Sequence, residues 1–229
     1  MSNRTTKTLY TCAWGGYWEK YGKDWIKQVE LLNTKPDQIF VVSDKSLSDC
    51  PYEVILADPN FKPYPITAFR QAAVDHCNCD WYCFSDIDDI MFPNYLDNIN
   101  DNYDIHAISF KRTDGRDWIL CDIDKRNWNE MFTYEGSYRG PFSGTSFIKS
   151  KIIKKVGIPL YGWQDNTLFI KLREINCSVF FDSTPRFLYN IDIKNSLSKI
   201  HTRKNKKREH DAILKQVKEK YNEALHFKS

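Results

Sequence analysis

The amino-acid sequence predicts an α/β fold, a single domain built on a mostly parallel β-sheet with helices on its faces. Three observations lead to this class. The chain has 229 residues, of which 41% are hydrophobic, so it is long enough to bury one sizeable core. Several short apolar runs have the pattern of strands that are buried on both faces. These runs alternate with segments of helical periodicity, as parallel strands joined by helices require.

The first half of the chain alternates regularly between predicted strands and helices. A β-prone run at residues 8–13 breaks at a glycine turn, and apolar residues then recur at helical spacing from Trp25 to Leu32. Further short apolar runs predict strands, and the segment between the last two of them predicts a helix. These strands are residues 38–43, 52–56 and 81–85, and the helix is residues 66–76.

The second half is less regular and ends in a basic segment. Residues 111–140 have weak periodicity, which predicts an irregular region or a β-hairpin. Leu168, Phe169, Leu172 and Ile175 predict the apolar face of one helix. The other predicted elements are strands at residues 105–110, 178–181 and 186–191 and helices at residues 151–156, 165–175 and 206–226. We therefore predict one domain at residues 1–198 and a basic, amphipathic C-terminal helical extension at residues 199–229.

Composition excludes several classes of protein. The balance of hydrophobic and charged residues is that of a globular chain, not of a disordered or disulfide-scaffold one. No apolar stretch approaches the roughly 20 residues that cross a bilayer, so we expect neither a transmembrane segment nor a secretory signal. The seven cysteines form an odd set without framework spacing, which favours free thiols in a reducing compartment. The sequence therefore predicts a cytoplasmic protein.

Three carboxylates follow the predicted strand at residues 81–85. Asp86, Asp88 and Asp89 come directly after this apolar run, and open α/β sheets bind ligands at the carboxyl ends of their strands. Adjacent carboxylates repel one another, so such a cluster is most stable when a cation joins it. Their oxygens suit Mg²⁺ or Mn²⁺, with substrate phosphates completing the shell. The alternative is a solvated loop or a helix cap, as we expect for the second Asp-x-Asp tripeptide at residues 122–124.

Four segments of the chain, taken in order, carry a family resemblance. Residues 39–46 form an apolar strand with an acidic end, and Ala68-Phe69-Arg70-Gln71-Ala72-Ala73 precedes the strand that ends in Asp86-Ile87-Asp88-Asp89. Residues 157–168 then contain Trp163-Gln164-Asp165. These segments resemble the landmarks of the family-two glycosyltransferases of GT-A fold. The resemblance implies a metal-dependent enzyme that transfers a sugar from a nucleotide-sugar donor.

Three residues depart from the pattern of that family. Gln71 stands in place of the helix Asn, and Ser43 in place of the first Asp of the second-strand pair. Gln164 replaces the Glu of the Glu-Asp pair. Recognition of the donor base is therefore left open, and Asp165 is the acid that remains in the acceptor motif.

The resemblance implies a metal site at the acidic strand end. Asp88 is expected as the direct metal ligand, Asp86 in the ribose and metal shell, and Asp89 as an anchor of the loop. His201 stands where many GT-A enzymes supply a third metal ligand, although a solvent-exposed histidine in a basic tail is the alternative. The expected cofactor is Mn²⁺ or Mg²⁺, which neutralises the departing diphosphate as a Lewis acid.

The acceptor side is expected near the Trp-Gln-Asp segment. Asp165 matches the family position of the base that takes the acceptor proton in an inverting transfer, or it caps the helix that follows. Trp163 offers a ring for sugar stacking, or it is a core aromatic residue. Gln164 belongs to the same motif. Gly144 and Thr145 lie where the family binds the transferred sugar, although an ordinary turn explains the glycine equally well.

The donor nucleotide is expected over the first two strands. The resemblance implies that Thr11, Ala13 and Trp14 line the base and ribose. Asp44 matches the acid that accepts a hydrogen bond from the base, or it is a surface loop residue. Arg70 either pairs with phosphate, holds Asp86, or forms a salt bridge elsewhere.

The sequence thus predicts an inverting glycosyltransferase that uses a UDP- or GDP-sugar and a glycan, lipid-linked or nucleic-acid acceptor. Two rival interpretations are a sugar transferase acting on modified bases of DNA and a non-catalytic nucleotide- or glycan-binding protein of the same fold. Residues 199–220 contain nine Lys or Arg against three Asp or Glu, whereas the whole chain carries only +3. This tail is either a solvated helix or a contact with anionic lipid, nucleic acid or the donor diphosphate, so peripheral association with a membrane or nucleic acid is a further expectation.

Overall fold

The computed structural model describes residues 4–61, 65–113, 143–159 and 164–190, which form one sheet with helices on both faces. The strands are β1 (Lys7–Ala13), β2 (Gln38–Ser43), β3 (Glu53–Leu56), β4 (Trp81–Phe84), β5 (Ile90–Met91), β6 (Ile105–Arg112), β7 (Ser146–Lys149) and β8 (Val179–Tyr189). Their order across the eight-stranded sheet is β3-β2-β1-β4-β7-β6-β8-β5. The helices are α1 (Tyr17–Leu31), α2 (Pro65–His76), α3 (Ser150–Val156) and α4 (Gln164–Glu174).

Four parallel strands form one half of the sheet. β1 pairs with β2 and β4, and β2 pairs with β3, all in parallel. Leu9 and Tyr10, neighbours on β1, are both fully buried but belong to separate apolar clusters, because successive side chains of a strand point to opposite faces. Burial on both faces is what the continuous apolar runs predicted. The carboxyl ends of β1, β2 and β4 consequently lie along one edge, which we call the carboxyl edge.

The other half of the sheet is mixed. β7 runs antiparallel to β4 and to β6, β6 and β8 are parallel, and β5 is antiparallel to β8. Four of the seven strand pairs are therefore parallel. The predicted α/β class is confirmed, with antiparallel strands inserted beyond β4.

Two local predictions are wrong, each for a tertiary reason. The strands predicted at residues 178–181 and 186–191 are a single strand, β8, because register shifts around Ser109 let its pairing with β6 continue past Pro185. Ile175 was expected on the apolar face of α4, but it lies beyond the last residue of that helix and is 40% exposed. The short strand β5 was not predicted, since two residues carry no periodicity.

Helices cover both faces of the sheet. α1 packs on one face through Trp18, Trp25 and Val29. The other three helices pack on the opposite face, and their buried side chains are Phe69, Ala73, Val74, Ile153, Leu168, Phe169 and Leu172. Burying each of the larger side chains contributes about 1.5–3 kcal/mol, so both layers stabilise the sheet and hold the strand ends in place.

Several predicted features lie outside the described residues. They are most of the irregular region at residues 111–140, the helix at residues 206–226 and the whole extension at residues 199–229. The domain boundary at residue 198 stays a prediction. Among the described helices, none is both long and apolar enough to cross a membrane.

A buried ionic cluster fixes the segment that follows the acidic residues. The carboxylate of Asp182 on β8 contacts Nε2 of His106 at 3.2 Å and accepts hydrogen bonds from the guanidinium of Arg186. Nη1 of Arg186 also donates to the backbone carbonyls of Asn94 at 2.6 Å and Asp97 at 2.5 Å. Although burial raises the pKa of Asp182, the hydrogen bonds from His106 and Arg186 hold it well below the ordinary range. The cluster therefore joins β6 and β8 to residues 94–97.

An Arg186→Met variant is expected to lose about 3–5 kcal/mol of unfolding free energy, because removing one partner of a buried ion pair leaves the other charge uncompensated. Urea denaturation measures the loss. Arg4→Met is the matched control, since Arg4 pairs with Asp37 at 2.7 Å but is 75% exposed, and exposed pairs contribute about 0–1 kcal/mol. Similar losses in the two variants would contradict a structural role for the cluster.

Candidate functional site

The acidic residues lie in a turn at the carboxyl edge. β4 ends at Phe84, and Asp86, Asp88 and Asp89 follow. The backbone N–H of Asp89 donates to the carbonyl of Asp86 at 3.2 Å, which closes the turn. Asp86 and Asp88 are half-buried, whereas Asp89 is 5% exposed. We call these three residues the acidic turn.

Ser85 fixes the start of the acidic turn. Its backbone N–H donates to the carbonyl of Tyr10 on β1 at 3.0 Å. Its hydroxyl accepts a hydrogen bond from Nε1 of Trp25 on α1 at 2.8 Å. Ser85 therefore links the start of the turn both to β1 and to α1.

Asp89 anchors the turn to the end of β8. Its Oδ1 accepts a hydrogen bond from the backbone N–H of Asn190 at 2.9 Å. Burial, and then the charge of Asp86, raise the pKa of Asp89 to about 9 against the lowering effect of the Asn190 hydrogen bond, and Asp88 raises it further. The hydrogen bond fits the loop-anchoring role predicted for Asp89. The charges of Asp86 and Asp88 both disfavour ionisation of Asp89.

Burial and a nearby lysine have opposite effects on the ionisation of Asp88. Burial raises the pKa of its carboxyl, while a backbone hydrogen bond and the charge of Lys20 on α1 act in the opposite direction. The ionised form of Asp88 is therefore unfavourable unless positive charge lies nearby. Sequence patterns did not indicate Lys20, because it belongs to a helix that lies more than sixty residues earlier in the chain.

Asp86 and Asp88 could hold a hard cation if a bound ligand supplied further oxygen atoms. Asp86 and Asp88 offer oxygen atoms, which suit Mg²⁺ or Mn²⁺. Within the part of the chain that the structure describes, no group of three or more His, Cys, Asp or Glu side chains is arranged to hold a metal ion. A cation at the acidic turn would relieve the repulsion there and take its remaining ligands from phosphate oxygens and water.

Two tyrosines flank the acidic turn, and sequence patterns did not indicate them. Burial and the charges of Asp88 and Asp86 raise the pKa of Tyr17, which opens α1. Burial and all three carboxylates raise the pKa of Tyr189, at the end of β8, to about 12. The carboxylates of the acidic turn therefore affect both a residue of α1 and a residue of β8.

Asp44 joins the ends of β1 and β2. Its Oδ2 accepts a hydrogen bond from the backbone N–H of Gly15 at 3.3 Å. Its Oδ1 is buried and has no hydrogen-bond partner among the described residues. Gly15 has a φ of +62° and would meet nothing within 4 Å if it carried a Cβ, so the backbone here turns sharply beside open space. A buried oxygen without a donor is costly, which makes Asp44 a candidate acceptor for a ligand N–H.

The predicted nucleotide-lining residues on β1 differ in accessibility. The side chains of Thr11 and Ala13 are 0% and 1% exposed, and the hydroxyl of Thr11 has no hydrogen-bond partner within the described ranges. Trp14 is partly exposed, and its ring lies 6.4 Å from that of Phe69 on α2. Of these three residues, Trp14 is the one that presents its side chain at the carboxyl edge.

Arg70 packs against the last residue of β4. It is 9% exposed, and its guanidinium carbon lies 5.1 Å from the ring centroid of Phe84. Burial raises the pKa of the Cys12 thiol to about 12, while the charge of Arg70 lowers it and the charge of Asp86 raises it. The charges of Arg70 and Asp86 therefore both affect Cys12 on β1, and a role of Arg70 toward Asp86 or phosphate stays a prediction.

Gln71, which replaces the family Asn, has a structural partner. Its Oε1 accepts a hydrogen bond from the backbone N–H of Ile158 at 2.9 Å, and its Nε2 donates to Asp75 at 2.8 Å. Gly157, just before, has a φ of +69°. Gln71 thus ties α2 to the turn that leads from α3 toward the Trp-Gln-Asp segment.

Gly144 and Thr145 lie in a short 3₁₀ turn, Ser143–Thr145, that leads into β7. Because β7 is antiparallel to β4 and β6, this turn lies at the edge where those strands end. Both residues are buried.

The acceptor motif is described in part. Gln164 and Asp165 form the first turn of α4, and Trp163 and His201 lie outside the described residues. α4 ends at Glu174, shortly before β8 begins at the opposite edge of the sheet. α4 has 11 residues and is therefore about 16 Å long.

No family model matches the sequence, and no curated protein matches it. Solved structures do match. The described domain has the fold of the GT-A glycosyltransferases, which confirms the predicted fold.

Three solved structures illustrate the similarity in fold. TarS 1–349 of S. aureus in complex with UDP-GlcNAc has a TM-score of 0.61 and 16% identity, covering 84% of this chain and 60% of that chain. The mannosyltransferase PcManGT of Pyrobaculum calidifontis in complex with GDP-Man and Mn²⁺ has a TM-score of 0.56 and 11% identity, covering 82% and 57%. Glucosyl-3-phosphoglycerate synthase of Mycobacterium tuberculosis with Mn²⁺, UDP and phosphoglyceric acid has a TM-score of 0.57 and 14% identity, covering 86% and 74%. The chain thus spans about three fifths of the first two of these solved chains, and the resemblance to all three is in the fold.

Proposed function

We propose that this protein is a nucleotide-sugar-dependent glycosyltransferase that works with Mn²⁺ or Mg²⁺. The observation that carries the proposal is the acidic turn at the carboxyl edge of a GT-A fold, where Asp86 and Asp88 are half-buried and close enough to Asp89 to shift its pKa. Of the three solved structures described above, two contain Mn²⁺ and each contains UDP-GlcNAc, GDP-Man or UDP. Carboxylates that repel one another in the absence of a cation are suited to a site that fills together with its diphosphate.

The donor half of the site would be built from β1, β2, β4 and α2. Asp86 and Asp88 would hold the divalent cation, which supplies Lewis-acid neutralisation of the departing diphosphate. The free Oδ1 of Asp44 would accept a hydrogen bond from an N–H of the base, which both uracil and guanine possess. Trp14 would cover the base or ribose, and the buried charge of Arg70 would orient Asp86.

The acceptor half would be built from the turn before β7 and the start of α4. The backbone at Gly144 and Thr145 would contact the transferred sugar, and Trp163 and Gln164 would contact the acceptor. Asp165 would take the proton of the acceptor hydroxyl as the hydroxyl attacks the anomeric carbon, which gives inversion. His201 remains a proposed third metal ligand. The acceptor itself is a glycan, a lipid-linked sugar or a nucleic acid.

A donor panel tests the proposal. The protein is incubated with UDP- and GDP-sugars in the presence of Mn²⁺, and release of the nucleoside diphosphate is followed. We expect slow, Mn²⁺-dependent hydrolysis of one donor class, abolished by EDTA and restored by added Mn²⁺. The absence of both turnover and Mn²⁺-dependent nucleotide binding would favour a non-catalytic protein of the same fold.

A further inference from the structure

β4 and β7 separate before they reach the carboxyl edge. Their pairing ends at Tyr82 and Ile148. β4 continues beside β1 to Phe84, while β7 is paired with β6 from Ser146 onward. Within the described sheet, the two strands are therefore not paired with each other where β4 leads into the acidic turn and where β7 leaves the turn at Ser143–Thr145.

This separation deprives the backbone carbonyl of Phe84 of a partner on β7. The carbonyl of Phe84 and the backbone N–H of Ser85 belong to one trans peptide group, so they point in opposite directions. The N–H of Ser85 donates to Tyr10 on β1 at 3.0 Å, so the carbonyl of Phe84 points away from β1. Because a buried carbonyl without a donor is costly, another group has to donate to it.

Tyr95 supplies that donor. Its hydroxyl donates to the carbonyl of Phe84 at 2.5 Å, and the residue is 1% exposed. Its ring makes edge-to-face contacts with Phe147 on β7 and Phe187 on β8, at centroid distances of 5.2 and 6.2 Å. Tyr95 therefore joins the end of β4 to β7 and β8 at the place where β4 and β7 are no longer paired.

The backbone around Tyr95 is fixed independently of β4. The N–H of Tyr95 donates to the carbonyl of Phe92 at 2.9 Å, and Arg186 on β8 holds the carbonyls of Asn94 and Asp97. The hydroxyl thus reaches β4 from a segment that is anchored to β8. Its hydrogen bond also closes residues 84–95, the segment that contains the whole acidic turn.

We propose that Tyr95 is a positioning residue for the metal-binding carboxylates, whose hydroxyl holds the end of β4 and thereby fixes Asp86 and Asp88 relative to the turn at Ser143–Thr145. This inference rests on the proposed glycosyltransferase function. Asp86 lies two residues beyond the carbonyl that Tyr95 holds, so a shift of that carbonyl is passed to the carboxylates along the backbone. Binding sites require their ligands within about 0.5 Å of the productive geometry, so a small shift is enough to weaken the hold on a cation.

The test is a Tyr95→Phe variant, which removes the hydroxyl oxygen and keeps the ring. Without the hydroxyl, the end of β4 has to shift toward another donor, so we expect the Mn²⁺ concentration that gives half-maximal donor hydrolysis to rise about tenfold. A loss of stability alone would reduce the amount of folded enzyme and leave that concentration unchanged. Calorimetry of Mn²⁺ binding in the presence of UDP or GDP gives a second measurement, in which we expect the same shift.

Two control variants separate the hydroxyl of Tyr95 from the packing of its ring. Tyr103→Phe removes the same atom from a tyrosine that lies just before β6 and packs on Phe180 at a centroid distance of 5.5 Å. Phe187→Leu reduces the packing on the Tyr95 ring and leaves the hydroxyl in place. Both controls are expected to keep the wild-type Mn²⁺ requirement, and Phe187→Leu is expected to unfold at a lower urea concentration.

The outcomes separate this inference from the proposed function. If the wild type hydrolyses a donor with Mn²⁺ and the Mn²⁺ requirement of Tyr95→Phe stays within twofold of it, the positioning role is wrong and the enzyme class stands. The same holds if Tyr95→Phe does not fold, or if Phe187→Leu shows an equal shift, because Tyr95 then contributes stability or packing alone. If the wild type shows neither turnover nor Mn²⁺-dependent nucleotide binding, the proposed function fails and the role of Tyr95 fails with it.

Discussion

An Asp88→Asn variant is expected to lose about a thousandfold in the rate of Mn²⁺-dependent donor turnover while keeping its stability. The amide that replaces the carboxylate weakens the hold on the cation, and Lewis-acid stabilisation of a leaving diphosphate is worth several kcal/mol. The free energy of unfolding is expected to stay unchanged, because burial already opposes ionisation of Asp88 and the change relieves repulsion with Asp89. Nucleoside diphosphate release and urea denaturation measure the two effects.

The control for this variant comes from the second Asp-x-Asp tripeptide of the chain. Asp122→Asn makes the same chemical change in the tripeptide for which no metal role is predicted. We expect it to retain wild-type turnover. Full turnover in Asp88→Asn would remove Asp88 from the metal site, and a marked loss of stability would show that its role is structural.

An Asp165→Asn variant is expected to lose about 10²–10⁴-fold in transfer to the acceptor, the range that general-base catalysis supplies. Binding of UDP or GDP with Mn²⁺ is expected to stay within twofold of the wild type, because Asp165 belongs to the proposed acceptor half of the site. Transfer is measured once the donor panel has identified a donor and an acceptor, and nucleotide binding is measured by calorimetry.

The alternative role of Asp165 makes a different prediction. α4 begins at Gln164, so Asp165 lies in the first turn, where a carboxylate interacts favourably with the helix dipole. If that is its whole function, Asp165→Asn costs about 0.3–1 kcal/mol of unfolding free energy and leaves transfer intact. If the variant retains transfer, Asp165 only stabilises the start of α4 and is not the base that takes the acceptor proton.

Much of the fold could be predicted from local patterns. The strand predicted at residues 38–43 is β2, residue for residue, and the helix predicted at residues 66–76 differs from α2 by one residue. The strand is a short continuous apolar run and the helix has helical periodicity, and both patterns depend on neighbours along the chain. The division of β8 was wrong because Pro185 interrupts the apolar pattern, whereas register shifts in the pairing with β6 accommodate it.

The acidic residues that follow β4 could be predicted from the sequence. The residues that other elements bring to them could not. An apolar run ending in acid is a local pattern, so Asp86, Asp88 and Asp89 were recognised. Tyr17 and Tyr189 reach the same turn from elements at opposite ends of the described chain. Neither belongs to a motif, so no spacing in the sequence relates them to the acids.

Local sequence patterns were enough to predict the α/β class, the acidic end of β4 and the resemblance to GT-A glycosyltransferases, because each depends on residue types at short spacing. Only the folded structure shows that β7 inserts antiparallel between β4 and β6 and that Gln71 holds the turn at Ile158. The physical reason is that pairing register and helix packing bring together groups far apart in the chain. Their electrostatic effect depends on distance and burial, which no local pattern encodes.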